Sequence, residues 1–259
     1  MTRRPWWPAE GMPLPIRLSN VARLAGALAL VLLLSPLRAA DVSVSPVRAD
    51  LRAGALNETI TISNRSREPL RIVVKLMEWT QDAQGSDVYG ETSDLIYFPR
   101  QAEVEPDGKQ LVRVGARSPA GPTERTYRLF IEEQPRPASE AARAQVAVVF
   151  RFGVPVFLAP SVPHTDLQVQ EPQIEHGKVL VPVRNAGNVH VRLLRVVVDN
   201  GAGFRREVAG WYALAGAQRT YAVELPPEVC RKSGTLNVAV EGEGVRADRQ
   251  LHVDAARCV

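Results

Sequence analysis

Residues 70–79 read Leu-Arg-Ile-Val-Val-Lys-Leu-Met-Glu-Trp. Leu70, Ile72, Val74 and Leu76 recur at every second position, a period that only an extended strand turns into one apolar face. The same pattern returns along the chain, at Thr59–Ser63, Lys109–Val114 and Thr126–Glu132, then at Val179–Val183, Val189–Val198, Tyr221–Leu225, Thr235–Val240 and Arg246–Val253. Between these segments stand turn formers such as Asn185-Ala-Gly-Asn188, Asn200-Gly-Ala-Gly203 and Gly242-Glu-Gly244. Twenty prolines and eighteen glycines, spread throughout, exclude a helical bundle. Short strands about 8–12 residues apart predict antiparallel sandwiches of the immunoglobulin-like size, about 100 residues each. Ala159-Pro-Ser-Val-Pro163 interrupts the pattern as a stiff linker. The fold class is therefore all-β, with one sandwich over 41–160 and a second over 161–259. Only Ala138–Ala144 reads as a short helical turn, and a loop is the alternative there.

The first 40 residues are of another kind. Leu24–Leu34 is an uncharged apolar run preceded by Arg17 and Arg23 and followed by Ser35, Pro36 and Ala39-Ala40. That order is a secretory signal, with cleavage expected after Ala39 or Ala40. Eleven residues fall short of the roughly 20 that a membrane-spanning helix needs, although an uncleaved anchor is the competing reading. Met12 opens a more ordinary signal than Met1 does. A chain cleaved here is expected to be exported, with no integral membrane segment remaining.

Charge excludes one large class of partner. The formal charge is +4, but Arg3, Arg4, Arg17, Arg23 and Arg38 stand against Glu10 alone in the first 40 residues. Removing those five from 32 basic residues, and the one from 28 acids, leaves 27 of each. A balanced body gives nucleic acid no electrostatic footprint. No catalytic constellation stands out either: G-x-S-x-G, H-E-x-x-H, a phosphate loop and C-x-x-C are all missing from the sequence, and Glu132 and Glu133 alternate across a strand. Neither an enzyme nor a cofactor is expected. His164, His176, His190 and His252 are too scattered for a metal site. Cys230 and Cys258 are the only cysteines. In an exported chain two cysteines pair more often than not, with two free thiols as the alternative.

One strand is anomalous. Ala144-Gln-Val-Ala-Val-Val-Phe-Arg-Phe-Gly-Val-Pro-Val-Phe157 alternates and is apolar on both faces, with Val146, Val148, Phe150 and Phe152 on one side. Such a strand is either covered at the centre of a sandwich or shows one face to a partner. It comes last in its sandwich, and its first half lacks the charge or proline that normally blunts an edge.

Taken in order after the signal, several segments resemble the periplasmic pilus-assembly chaperones of the chaperone–usher family, nearer the archaic branch. They are Ser45-Pro-Val-Arg48, Ile60–Asn64, Glu78-Trp-Thr-Gln81, Pro106–Val114, Glu124–Pro135, Phe152–Phe157, Asn185–His190 and Trp211–Gly216. The resemblance covers roughly residues 41–255. It implies a boomerang of two immunoglobulin-like domains that holds an incomplete pilin subunit and lends it a strand until an outer-membrane usher exchanges that strand. Val146, Val148, Phe150 and Phe152 then match the donor residues. It also implies a basic pair for the subunit's C-terminal carboxylate. Arg48 matches the first member. The family's second member is a lysine late in the donor strand, where this chain reads Gly153-Val-Pro155, so Arg151 and Arg128 are the candidates.

Two other classes fit a tandem sandwich. A pilus structural component or adhesin would present its own donor peptide or an incomplete fold, and no obvious alternating extension is expected at the processed N-terminus. A periplasmic carbohydrate-binding module would want an aromatic platform, and beyond residue 40 only Trp79, Trp211 and a few tyrosines could build one.

Overall fold

A computed structural model of the chain describes residues 42–134, 149–232, 234–254, 256 and 258. The signal at 1–40, Ala138–Ala144, Val146 and Val148 lie outside the described residues. The first sandwich contains β1 (Val42–Ser45), β2 (Ala49–Leu51), β3 (Asn57–Asn64), β4 (Leu70–Gln81), β5 (Asp87–Glu91), β6 (Leu95–Phe98), β7 (Gln101–Val104), β8 (Lys109–Ala116), β9 (Arg125–Glu133) and β10 (Arg151–Leu158). One sheet runs β1-β3-β8-β6; the other runs β2-β10-β9-β4-β5, with β7 also on β4.

The alternation seen at 70–79 does what it predicts. Leu70, Ile72, Val74 and Leu76 of β4 point inward with Ile60, Ile62, Val112 and Val114 of the facing sheet. Strand β9 is different, because it is buried on both faces. Tyr127, Leu129 and Ile131 enter the core, while Thr126, Arg128 and Phe130 are covered on the opposite side. The run read as one strand over 144–157 is a strand only from Arg151 onward among the described residues. β9 ends at Glu133, and among the described residues its last bond to this run is the Glu133 N–H donating to the Phe150 carbonyl.

The second sandwich contains β11 (Leu167–Val169), β12 (Gln173–Glu175), β13 (Lys178–Asn185), β14 (Val191–Asp199), β15 (Arg205–Ala209), β16 (Tyr212–Ala213), β17 (Gln218–Glu224), β18 (Thr235–Gly242) and β19 (Val245–His252). Its sheets are β11-β13-β12 with β17 on β13, and β15-β14-β18-β19 with β16 on β14. One short helix, α1 (Pro227–Lys232), escapes the period-2 reading. A disulfide joins its buried Cys230 to Cys258, with Cα atoms 5.6 Å apart. It staples α1 to the chain end against a core of Val179, Val181, Val196, Val198, Leu236 and Val238. The fold is thus two immunoglobulin-like β-sandwiches in tandem.

Candidate functional site

Register places the cleft face of the β10-β9-β4-β5 sheet. Arg128 of β9 pairs with Pro155 of β10 on one side and Met77 of β4 on the other. Paired residues share a face, so these three form one row. Arg48 immediately precedes Ala49, which lies beside Val156 in the parallel β2–β10 pairing, and it extends that row past Pro155. Phe157 and Trp79 flank the next row, with Tyr89 of β5 opposite Trp79.

The Phe157–Trp79 row is roofed by the second sandwich. Trp79, Phe157, Tyr212 and Leu214 form a separate apolar cluster, in which Trp79 meets Tyr212 edge-on at 5.3 Å. His190 stacks flat on Phe157 at 3.5 Å, and its backbone N–H and Nδ1 both lie 2.8 Å from Glu124 Oε2. The Gln81 side chain closes the junction: Nε2 donates to the Tyr212 carbonyl at 2.9 Å, and Oε1 accepts from Leu214 N–H at 3.1 Å. Asp87 accepts from Trp211 Nε1 at 2.9 Å, and Arg219 donates to the Gly85 carbonyl at 3.0 Å. The Tyr212 and Gly85 carbonyls and the Leu214 and His190 N–H groups each meet a side chain across the junction.

Three cations named from the sequence occupy different settings. Arg48 is 37% exposed at its side chain and donates from Nε to Asp50 at 2.9 Å and from Nη1 to Glu243 at 3.2 Å. Burial works against its charge, yet the two carboxylates outweigh that and hold its pKa above the usual guanidinium value. Arg128 is 6% exposed. Its guanidinium carbon sits 3.9 Å from the Trp79 ring centroid, and Nη1 donates to the Gly153 carbonyl at 2.9 Å. Its Nε and Nη2 are buried without a hydrogen-bond partner. Trp211 and Tyr212 stand 5.5 and 5.7 Å from the same guanidinium carbon. Arg151 pairs with Glu132 at 2.9 Å and lies over the Phe130 ring. Lys75 takes another position on the same carboxylate, at 2.8 Å.

Gly153 leaves room for Phe130 beneath this layer, since a Cβ there would come within 3.1 Å of Phe130 Cε1. At the N-terminal end of β10, Phe150 is half-buried against the first core and Phe152 is 36% exposed, their rings 5.0 Å apart. Val149 is 50% exposed. Sequence reasoning named Arg48, Arg128 and Arg151 but missed Gln81, Asp87, Glu124 and Glu243. No local signal marks these roles, because Gln81, Asp87, Glu124 and Glu243 each meet a residue of the other sandwich 66 to 195 positions away.

The comparisons agree with this architecture. Residues 41–163 match the family model for the N-terminal domain of PapD, the pili and flagellar-assembly chaperones. No curated protein sequence matches the chain. Among solved structures, a chain of the CsuC–CsuE chaperone–tip adhesion subunit complex, from archaic chaperone–usher Csu pili of Acinetobacter baumannii, superposes with a TM-score of 0.58 at 16% identity. That match covers 82% of this chain and 98% of the other. The YadV chaperone gives 0.58 at 12% identity over 82% and 100% of the two chains. A chain of the Salmonella enterica SafA pilin–SafB chaperone complex gives 0.53 at 16%, covering 83% and 97%. At these identities the structures speak for the fold, two sandwiches in tandem. No described helix is long and apolar enough to cross a membrane. By that match, residues 41–163 are a PapD-type N-terminal domain of the pili and flagellar-assembly chaperones.

Proposed function

We propose that the chain, exported by residues 1–40, works in the periplasm as a chaperone without ATP or any cofactor. It captures pilin subunits by donor-strand complementation and releases them to an outer-membrane usher. The reading divides the mature chain near residue 160, with the donor strand last in the first domain. The observation that carries it is the change of environment along β10. Val154, Val156 and Leu158 are sealed in the core, whereas Phe152 and Val149 toward the other end keep large apolar surfaces in solvent. Continuing that alternation backwards adds Val148 and Val146, so Val146, Val148, Phe150 and Phe152 would supply alternate side chains to a groove that lacks a strand. Main-chain hydrogen bonds would give affinity and the alternate side chains would set register. Each apolar side chain buried contributes about 1.5–3 kcal/mol before association costs.

The carboxylate anchor follows from the same face. Arg48 and Arg128 flank Pro155 on adjacent strands, so the second cation comes from β9 rather than from the donor strand. Arg151 is committed to Glu132 and is the weaker candidate. The subunits held in the CsuC–CsuE and SafA–SafB complexes support a pilin as the class of partner. Co-expression with a candidate pilin should yield a stable 1:1 complex in the periplasmic extract. Recovery of both proteins separately, with the pilin degraded or aggregated, would overturn the reading.

A further inference from the structure

Arg48 does not wait for a ligand with an empty hand. A guanidinium offers two forks to a carboxylate, Nε with Nη2 and Nη1 with Nη2. Here Asp50 holds Nε and Glu243 holds Nη1, so each fork has one arm taken. An incoming carboxylate that engages Arg48 with two hydrogen bonds must displace one of them. The two are not equally held. Asp50 is two residues along the same stretch of chain and bonds at 2.9 Å, whereas Glu243 reaches across from the β18–β19 turn of the second sandwich and bonds at 3.2 Å. Glu243 also has somewhere to go, because its Oε1 already accepts from Arg192 Nη1 at 3.0 Å. Leaving Arg48 does not strand its charge.

We infer that Glu243 is an internal stand-in for the partner's carboxylate: it occupies Arg48 in the free protein, passes wholly to Arg192 when the subunit docks, and so sets how strongly a docking terminus must bind. This rests on the reading that Arg48 anchors the subunit. The exchange trades one exposed carboxylate for another on the same guanidinium, so a neutral or misplaced terminus gains nothing and is rejected. Both Arg48 and Glu243 are partly exposed, which lets the newcomer reach the pair. It also severs one tie between the two sandwiches, leaving the Gln81 and Asp87 links in place.

Exposed ion pairs of this kind contribute modestly, and Glu243→Gln should tighten capture of the co-expressed pilin by about two- to five-fold. Glu243→Ala should act in the same direction, which separates loss of the competing charge from a particular effect of the amide. In an Arg48→Ala background the gain should vanish. It should vanish too for a pilin carrying two added C-terminal residues, which move its carboxylate away from Arg48. A purely structural Glu243 would weaken capture or leave it unchanged when neutralised, and either result overturns the inference. If instead Arg48→Ala captures pilin as well as the parent does, the anchor reading itself fails, an outcome distinct from an inert Glu243.

Discussion

The Arg128 guanidinium lies over the Trp79 indole, 3.9 Å from its centroid, in a site where no carboxylate reaches it among the described residues. Its Nη1 is satisfied by the Gly153 carbonyl, and the other two nitrogens are buried without partners. A buried cation held by aromatic rings and one carbonyl is a poor device for stability. Desolvation costs several kcal/mol, and a cation–π contact returns about 1–2. Retaining it makes sense if a negative group completes the site.

Arg128→Met is therefore expected to leave the thermal stability within about 1.5 kcal/mol of the parent, since a similar apolar volume replaces an under-satisfied charge. Pilin capture by the same variant should fall at least tenfold, the usual consequence of stranding a partner's carboxylate. Thermal unfolding and a binding titration read the two effects separately. A large loss of stability would make Arg128 a structural residue instead.

Arg48→Ala addresses the more exposed arm of the proposed anchor. The variant should fold with its disulfide intact, because Arg48 makes only surface ion pairs with Asp50 and Glu243, worth about 0–1 kcal/mol each. Capture should drop by about tenfold or more. Moving the pilin's terminal carboxylate by a short extension should cost little further in that background.

Much of this was legible in the chain, and the reason is physical. Alternation at Leu70–Leu76 and at Thr126–Glu132 is a local property, and it fixed the strands and their inward faces before any pairing was known. Arg128 could be named from its place in Thr-Tyr-Arg-Leu-Phe, yet nothing local says that Trp79 and Gly153 would enclose it. That depends on the registers of β9 with β4 and β10, which are long-range. Strand β5 escaped notice because Asp-Val-Tyr-Gly-Glu is polar and half-exposed. It nonetheless brings Tyr89 and Asp87 to the site. His190, placed by the sequence in a resembling segment and too far from the other histidines for a metal site, is a stacking partner of Phe157 held by Glu124.

The proposed donor-strand residues make a sharp test, because the proposal puts them in a partner's groove and the alternative reading puts them in the first sandwich's own core. Val148→Asp combined with Phe152→Asp should abolish pilin capture while the isolated protein still unfolds cooperatively near the parent's temperature. Phe152 is already 36% exposed, so a carboxylate there is tolerated in the free protein. It would be costly inside an apolar groove. A double variant that fails to accumulate would mean that the strand belongs to the chaperone's own core.

Alkaline pH offers a probe of the first sandwich. The Tyr127 ring is fully buried and its hydroxyl donates to Asp94 at 2.9 Å. Burial first, and then that carboxylate, push the phenol well above its ordinary value of 10.0. The folded state thus holds the proton more tightly than the unfolded one. The resulting stability is fully present below pH 10 and is lost as pH rises beyond it. Tyr127→Phe should be less stable than the parent at pH 8, by about 0.5–1.5 kcal/mol for the missing hydrogen bond. The gap should narrow as pH climbs toward 11. Denaturant melts at several pH values decide it, and parallel curves would mean that Tyr127 does not govern the alkaline loss.

The disulfide makes a prediction about the second sandwich alone. Cys230 and Cys258 are 28 residues apart in sequence, and both sulfur-bearing side chains are buried with Leu236, Val238 and Leu251. Closing a loop of that length restricts the unfolded chain by about 3–4 kcal/mol on the chain-entropy view. Alkylation without prior reduction should therefore leave the intact mass unchanged, and alkylation after denaturing reduction should add two groups. Replacing both cysteines with alanine should lower stability by about 3–4 kcal/mol, with the loss concentrated in β13, β14, β18 and the α1 helix that Cys258 ties down. Hydrogen exchange by segment would show this directly. Equal acceleration in β4 and β9 would mean that the two sandwiches unfold as one unit, and the staple would then stabilise the subunit-binding face as well as its own domain.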